Sequence, residues 1–210
     1  HYGSTEVYIF ATYPEPRRKP GCSGRAAFHT ELRLVEPDPE PTVGPEDTVA
    51  AGESGEIIVR LCDDAFGGYF NRPDATAKAL RGGWYFTGDT GYFDEDGDLW
   101  VSGRVDDMIN TGGENVYPVE VEEELARHPE VSEVAVVGLP DERWGQAVTA
   151  FVVPSRDDLT QKELDDYCRS STSLAPFKRP KRMVFVEEIP KSPVGKLLRR
   201  MLINGEYQEV

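Results

Sequence analysis

Apolar and polar positions alternate with period two over residues 27–35, the spacing of a half-buried strand, and residues 55–61 give another short β run. Residues 36–54 between them are rich in Pro, Glu, Asp and Gly and read as a surface loop. Residues 73–80 suit a short helix with Pro73 at its start. Strand-like runs return at 84–87 and 99–102, flanking Asp94-Glu95-Asp96-Gly97-Asp98. An EF-hand loop places Gly at its sixth position, whereas Gly97 is only the fourth residue from Asp94, so this acidic run predicts an Asp-Gly hairpin turn. Past residue 105 the texture changes. Residues 118–127 predict a helix with Pro118 near its first position and Val121 and Leu125 one turn apart. Runs at 131–138 and 146–153 are β-rich and close enough in sequence to be neighbouring strands. Residues 160–171 predict a helix capped by Thr160, with Glu163 in the capping-box position. A strand at 183–186 and a helix over 196–202 follow. The pattern therefore predicts an α+β protein: a β-rich part over 1–105, a boundary near 104–107, and a small α+β domain over 106–210.

Composition narrows the function classes. The 210 residues, 39% hydrophobic, are enough for one large domain or two small ones. The net charge of −15 argues against nucleic acid as a partner, since such a surface is basic. The longest apolar runs, 134–139 and 147–153, fall short of the roughly 20 residues of a membrane span. Cys22, Cys62 and Cys168 lie far apart and form no CxxC pair, which excludes a disulfide scaffold or cysteine zinc site and points to a reducing, cytoplasmic compartment. His1, His29 and His128 are isolated, with no metal-ligand spacing, and read as surface or packing residues. The chain opens at His1 without Met, which reads as the later part of something longer. Its acidic surface, with Arg in excess of Lys, also suits a high-salt source.

One stretch reverses the charge. Between 176 and 200, Lys178, Arg179, Lys181, Arg182, Lys191, Lys196, Arg199 and Arg200 meet only Glu187 and Glu188. A basic segment in an acidic chain suits a polyphosphate ligand, because Lys and Arg give charge-assisted hydrogen bonds. For Arg199 and Arg200 the alternative is that they complement a helix C-terminus.

Several short motifs occur in a fixed order: Tyr2-Gly3-Ser4-Thr5-Glu6, Trp84-Tyr85-Phe86-Thr87-Gly88-Asp89, Gly103-Arg104-Val105-Asp106-Asp107, the run from Gly112-Gly113-Glu114-Asn115 to Glu122, and Pro190 to Lys196. Together they resemble the adenylate-forming superfamily of acyl- and aryl-CoA ligases, luciferases and peptide-synthetase adenylation domains. The resemblance covers the whole chain. With Asp141-Glu142-Arg143-Trp144-Gly145-Gln146 and Phe177-Lys178-Arg179-Pro180-Lys181 it is similar to ligases of the 4-chlorobenzoate-CoA type. The fold it implies is the β-rich, distorted barrel-like end of a large AMP-binding domain, followed by a mobile C-terminal α+β domain.

The resemblance also implies roles. A carboxylate would be joined to AMP with release of pyrophosphate, and the acyl group then passed to the thiol of coenzyme A. Glu6 would help hold magnesium, a hard cation that takes carboxylate oxygen. Thr5 would hydrogen-bond the α-phosphate of ATP, and Tyr2 would lie along the adenine, or else be a core aromatic. Asp89 would accept the ribose hydroxyls, the alternative being a turn-capping Asp. Arg104 would bind ribose or phosphate oxygens, or pair with a neighbouring acid. Lys196 takes the place of the adenylation lysine, with Val194 standing where the family usually has Asn. Gly112 and Gly113 would line the pantetheine channel, or form a plain flexible loop. Trp144 and Phe177 would flank the CoA adenine, with Arg179 and Lys181 on its phosphates. Asp106 falls at the hinge about which the last domain turns.

The partners so implied are a small carboxylic acid, ATP, CoA and an upstream domain carrying the phosphate loop and acyl pocket; a homodimer stays open. The 210 residues alone are expected to be inactive. The rival readings are a binding module for CoA or a partner, which would need neither Glu6, Asp89 nor Lys196, and an adenylation domain serving a carrier protein, which would need no Trp144/Phe177/Arg179 nucleotide seat.

Overall fold

A computed structural model describes residues 1–12, 19–28, 30–62 and 65–210. They divide into two compact units, His1–Asp106 and Asp107–Val210. Among these residues no helix is long and apolar enough to cross a membrane. His29 lies outside the described residues.

The first unit is built from antiparallel strands. β1 (Tyr2–Ser4), β2 (Tyr8–Thr12) and β3 (Arg25–Ala26) make a small sheet. β4 (Leu32–Val35), β5 (Gly55–Arg60), α1 (Pro73–Ala79), β6 (Leu80–Arg81), β7 (Trp84–Phe93) and β8 (Leu99–Arg104) follow, and their five strands form a second sheet in the order β4-β5-β7-β6, with β8 also on β7. Of the strand expected over 27–35 only Leu32–Val35 is strand; before it, Thr30 N–H donates to the Ala27 carbonyl (2.9 Å). Phe28, which completed the alternation on paper, is 90% exposed. β5 is covered on both faces: Ile58 packs with Val35, Trp84 and Phe86, while Ile57 and Val59 enter the opposite side. The acidic run is a hairpin turn, with Asp94 N–H on the Asp98 carbonyl (3.0 Å). Its three aspartates converge on Lys19 Nζ at 2.6–2.8 Å.

A short 3-10 turn, Val105–Asp107, ends the first unit and gives the second its first residue. Then come β9 (Ile109–Thr111), β10 (Glu114–Val116), α2 (Pro118–Ala126), β11 (Val131–Asp141), β12 (Gly145–Pro154), α3 (Gln161–Ser170), β13 (Arg182–Phe185) and α4 (Arg199–Ile203). The sheet order is β10-β9-β12-β11, and β13 runs parallel to β12. β11 and β12 form a long antiparallel hairpin, in register from Val131 opposite Pro154 to Asp141 opposite Gly145 with one irregularity near its start. Alternate residues serve two cores. Val136, Val148 and Val152 pack with Val121, Leu125, Leu164 and Cys168 of α2 and α3. Ala135, Val137 and Phe151 pack with Val186, Ile189 and Leu202 of α4. The last helix starts at Arg199, not at Lys196 as the sequence suggested. Lys191 and Leu197 form an isolated bridge, which diverts residues 192–196 into a turn.

The capping box of α3 is present in both directions: the Thr160 hydroxyl accepts from Glu163 N–H, and the Glu163 carboxylate accepts from Thr160 N–H at 2.9 Å. Hydrogen bonds from the Thr160 hydroxyl, the Thr160 N–H and Arg156 hold the Glu163 carboxyl down to about 2. Because the folded value is depressed, this stabilisation is complete above the unfolded value of 4.5 and is lost as pH falls toward 2. Thermal melts across that window should therefore show a shallower acid loss for Glu163→Gln than for the native chain. Identical slopes would mean that the box contributes nothing to acid stability.

Candidate functional site

In the first unit the site is made by a bulge. Glu56 of β5 pairs with Thr90 of β7, yet Ile58 pairs with Phe86, so Thr87, Gly88 and Asp89 stand opposite Ile57 alone. The surplus backbone leaves the ladder, and Gly88 takes the turn at φ +70°. Two interactions fix it: the Thr87 hydroxyl donates to the Ile57 carbonyl (2.8 Å), and the buried Glu56 carboxylate accepts from Gly88 N–H (2.9 Å). Burial raises the Glu56 pKa, opposed by that hydrogen bond and by Arg81.

The bulge presents Asp89. Its Oδ2 accepts from the Tyr2 hydroxyl at 2.5 Å and its Oδ1 from Arg104 Nη1 at 2.7 Å. Arg104 is the cross-strand partner of Asp89 on β8. Tyr2 also packs against the core clusters around Val59 and Ile57. Burial, and then the Asp89 charge, push its phenol pKa up. Glu6 accepts from the Tyr69 hydroxyl (2.8 Å) and from the Thr5 hydroxyl (3.1 Å). Burial pulls its pKa upward, but the hydrogen bonds from Tyr69, Ser4 and Thr5 outweigh it, and the carboxyl sits below its usual range. Glu56 and Tyr69 were not singled out from the sequence. Their partners lie 32 and 63 residues away, and no local pattern marks them.

In the second unit the candidate residues gather where β9–β10 meets the tip of the β11–β12 hairpin. Gly112 (φ +64°) and Gly113 (φ +90°) form the two-residue turn between Thr111 and Glu114. Gly112 N–H donates to the Trp144 carbonyl (2.8 Å), and a Cβ on Gly112 would lie 3.0 Å from the Trp144 ring. Asp141 Oδ1 accepts from the N–H of Arg143 (2.9 Å) and of Trp144 (3.0 Å), so the tip presents the indole in a fixed turn. Arg143 lies 4.6 Å and Lys181 5.2 Å from the Trp144 ring centroid. Burial, followed by the charges of Arg179 and Arg143, lowers the Lys181 pKa. Lys181 also donates to the Phe177 carbonyl (3.4 Å), and Arg179 Nε is buried with no hydrogen-bond partner.

The basic segment is therefore of two kinds. Lys178 pairs with Glu120, Lys191 with Glu133, and Arg199 with Glu122 and Asp107. These are internal struts, and Arg199, at the first residue of α4, does not complement the C-terminus of that helix. Among the described residues no carboxylate pairs with Arg143, Arg179, Lys181 or Lys196. Lys196 is exposed in its turn, with its N–H on Ser192 Oγ (3.1 Å) and its carbonyl accepting from Ser192 N–H (2.8 Å). That turn is tied to Glu133 near the start of β11, whereas Trp144 lies just past the end of β11. The eight residues from Glu133 to Asp141 span roughly 27 Å as a strand.

A side chain at Gly112 must both adopt a left-handed backbone and push on Trp144, whereas one at Gly113 meets nothing within 4 Å. Gly112→Ala should lower stability by about 1–3 kcal/mol and shift tryptophan emission. Gly113→Ala should carry the backbone strain without the emission shift. Equal emission changes in both variants would contradict the packing described.

The sequence profile for the AMP-binding enzyme C-terminal domain matches residues 120–196. A 4-chlorobenzoate–CoA ligase from Arthrobacter sp is 45% identical over 202 residues, 96% of this chain and 37% of that ligase. The structure of o-succinylbenzoate CoA synthetase from Bacillus subtilis, in complex with its acyl-adenylate intermediate, aligns at a TM-score of 0.83 and 34% identity, over 100% of this chain and 41% of that one. ATP-bound MatB from Rhodopseudomonas palustris aligns at 0.84 and 32% identity, over 97% and 39%. The chain thus spans well under half the length of these relatives. These alignments extend over nearly the whole of this chain, and the chain belongs to the adenylate-forming superfamily, matching the C-terminal portion of its acyl- and aryl-CoA ligases.

Proposed function

We propose that this chain is part of an ATP-dependent ligase that joins a carboxylic acid to CoA through an acyl-adenylate, with Asp106 as the hinge that presents two faces of the second unit in turn. The observation that carries this reading is the separation of two cationic groups along one rigid hairpin: Lys196 near its start and the Gly112–Trp144–Lys181 cluster at its tip. Two groups so far apart on one body serve one reacting carbon only by alternation.

In the first step Asp89 is the acceptor for the ribose hydroxyls of ATP, oriented by Tyr2 and Arg104, and the remaining donors of the Arg104 fork face ribose or phosphate oxygens. Thr5 donates to the α-phosphate. The depressed Glu6 carboxyl fits magnesium, since an ionised oxygen donor is what a hard cation takes. Magnesium bound there would offset phosphate charge. Lys196 bridges the attacking carboxylate and the phosphate oxygens as the mixed anhydride forms and pyrophosphate leaves. In the second step Gly112 and Gly113 admit the pantetheine arm, and the CoA thiol attacks the acyl carbon, releasing AMP. The fit to the CoA nucleotide lies in the unpaired cations around one indole and in the orphaned Arg179 Nε. Trp144 and Phe177 flank the adenine, and Arg179 and Lys181 take the phosphates. A ligase serving a carrier protein has no use for such a seat.

In the full-length ligase, Lys196→Ala should slow adenylation by about 3–4 kcal/mol, a hundredfold to a thousandfold, yet leave transfer from supplied acyl-adenylate to CoA near the native rate. Gly113→Trp should do the reverse. Stopped-flow measurement of the two half-reactions decides the matter; equal slowing of both by Lys196→Ala would defeat the two-face reading.

A further inference from the structure

We infer that Arg199 is a positioning residue that couples the hinge to Lys196, a role that rests on the reading just proposed for Lys196 and Asp106. Arg199 lies three residues beyond Lys196, at the start of α4, and its side chain is 18% exposed. Its Nη2 donates to both carboxylate oxygens of Glu122 on α2, at 2.8 and 2.9 Å, and its Nη1 donates to Asp107 Oδ2 at 3.2 Å. Nε reaches the Val136 carbonyl of β11 at 3.4 Å, and Glu122 Oε1 also accepts from Val136 N–H at 2.8 Å. One guanidinium therefore ties α4 to α2, to β11 and to the residue that follows Asp106. The planar fork makes these directions mutually dependent, which a lysine cannot reproduce.

The geometry gives the contact with Asp107 a specific consequence. The turn that carries Lys196 is flanked by Ile189 and Leu197, which pack in the core around Phe151, and by two ion pairs. One is the Lys191–Glu133 pair, in which both side chains are about two-fifths exposed; the other is made by Arg199, on the chain just after the turn. Without the Arg199–Asp107 contact, a rotation at Asp106 would still move the hairpin and its tip, because β9 and β12 are joined through Thr111 and Gly145. It would place Lys196 less accurately, since the start of α4 would lose its direct link to the Asp107 side chain beside the hinge and keep only its packing on the hairpin and the Glu122 pair. The tip cluster contains no member of this network. Severing the strut should thus affect the lysine face and spare the other.

The test uses the full-length ligase and three variants: Asp107→Asn, which removes the charge at the hinge end and leaves the Glu122 pair intact; Arg199→Lys, which keeps the charge and loses the fork; and Lys196→Ala as the reference. Pyrophosphate exchange reads adenylation, acyl transfer from pre-formed acyl-adenylate reads the second half, and a thermal melt reads folding. Asp107→Asn and Arg199→Lys should each slow adenylation about 10- to 100-fold, the scale of a misplaced catalytic group, with transfer and melting near native. If Lys196→Ala loses adenylation while neither strut variant does, or if the strut variants slow both halves together, the coupling role is overturned. If Lys196→Ala itself leaves adenylation intact, the reading beneath the proposal fails first.

Discussion

The pairing of β11 with β12 is the constraint on which the second unit depends. Its register runs with one irregularity from Val131–Pro154 to Asp141–Gly145, and both of its faces are sealed, one by α2 and α3 and the other by α4. A strand pair covered on both sides does not bend easily, because any flexure opens two cores at once. Whatever is fastened to its ends is held apart. Glu133 fixes the Lys196 turn near one end, and Asp141 and Gly145 fix the presentation of Trp144 at the other.

The first unit solves a different problem by the opposite means. A regular ladder would stand Asp89 on one sheet face in strict alternation with its neighbours; here the β5–β7 ladder is broken instead. Thr87, Gly88 and Asp89 stand opposite one residue, and the surplus is held by the Ile57 carbonyl and the buried Glu56 carboxylate of the neighbouring strand, which accept from the Thr87 hydroxyl and the Gly88 N–H. Tyr2 and Arg104 then occupy both oxygens of Asp89, which fixes its orientation before any ligand arrives. Rigid pairing sets distance in one unit, and a broken pairing aims a side chain in the other.

How much of this was legible in the sequence follows the range of each interaction. The capping box at Thr160 was readable because its partners are three residues apart, and the β11–β12 hairpin because both strands are continuous apolar runs. The helix expected from Lys196 was not, because the Lys191–Leu197 bridge and the ion pair to Glu133 divert the backbone first. The basic segment looked uniform in sequence. Only tertiary partners separate Lys178, Lys191 and Arg199, which are struts, from Arg179, Lys181 and Lys196, which meet no carboxylate among the described residues. Arg199 meets Glu122 and Asp107 across 77 and 92 residues, distances at which no local pattern carries information.

The central claim is that one small unit turns about Asp106 to offer two faces in succession, and it is tested most directly by a distance across that residue. Paired spin labels at Glu95→Cys and Glu142→Cys, both exposed positions, in the full-length ligase with Cys22 and Cys62 replaced, would report it. The account predicts one distance distribution with a non-reactive acyl-adenylate analogue and a distinct one when CoA is added. A single distribution, unchanged by either ligand, would contradict it.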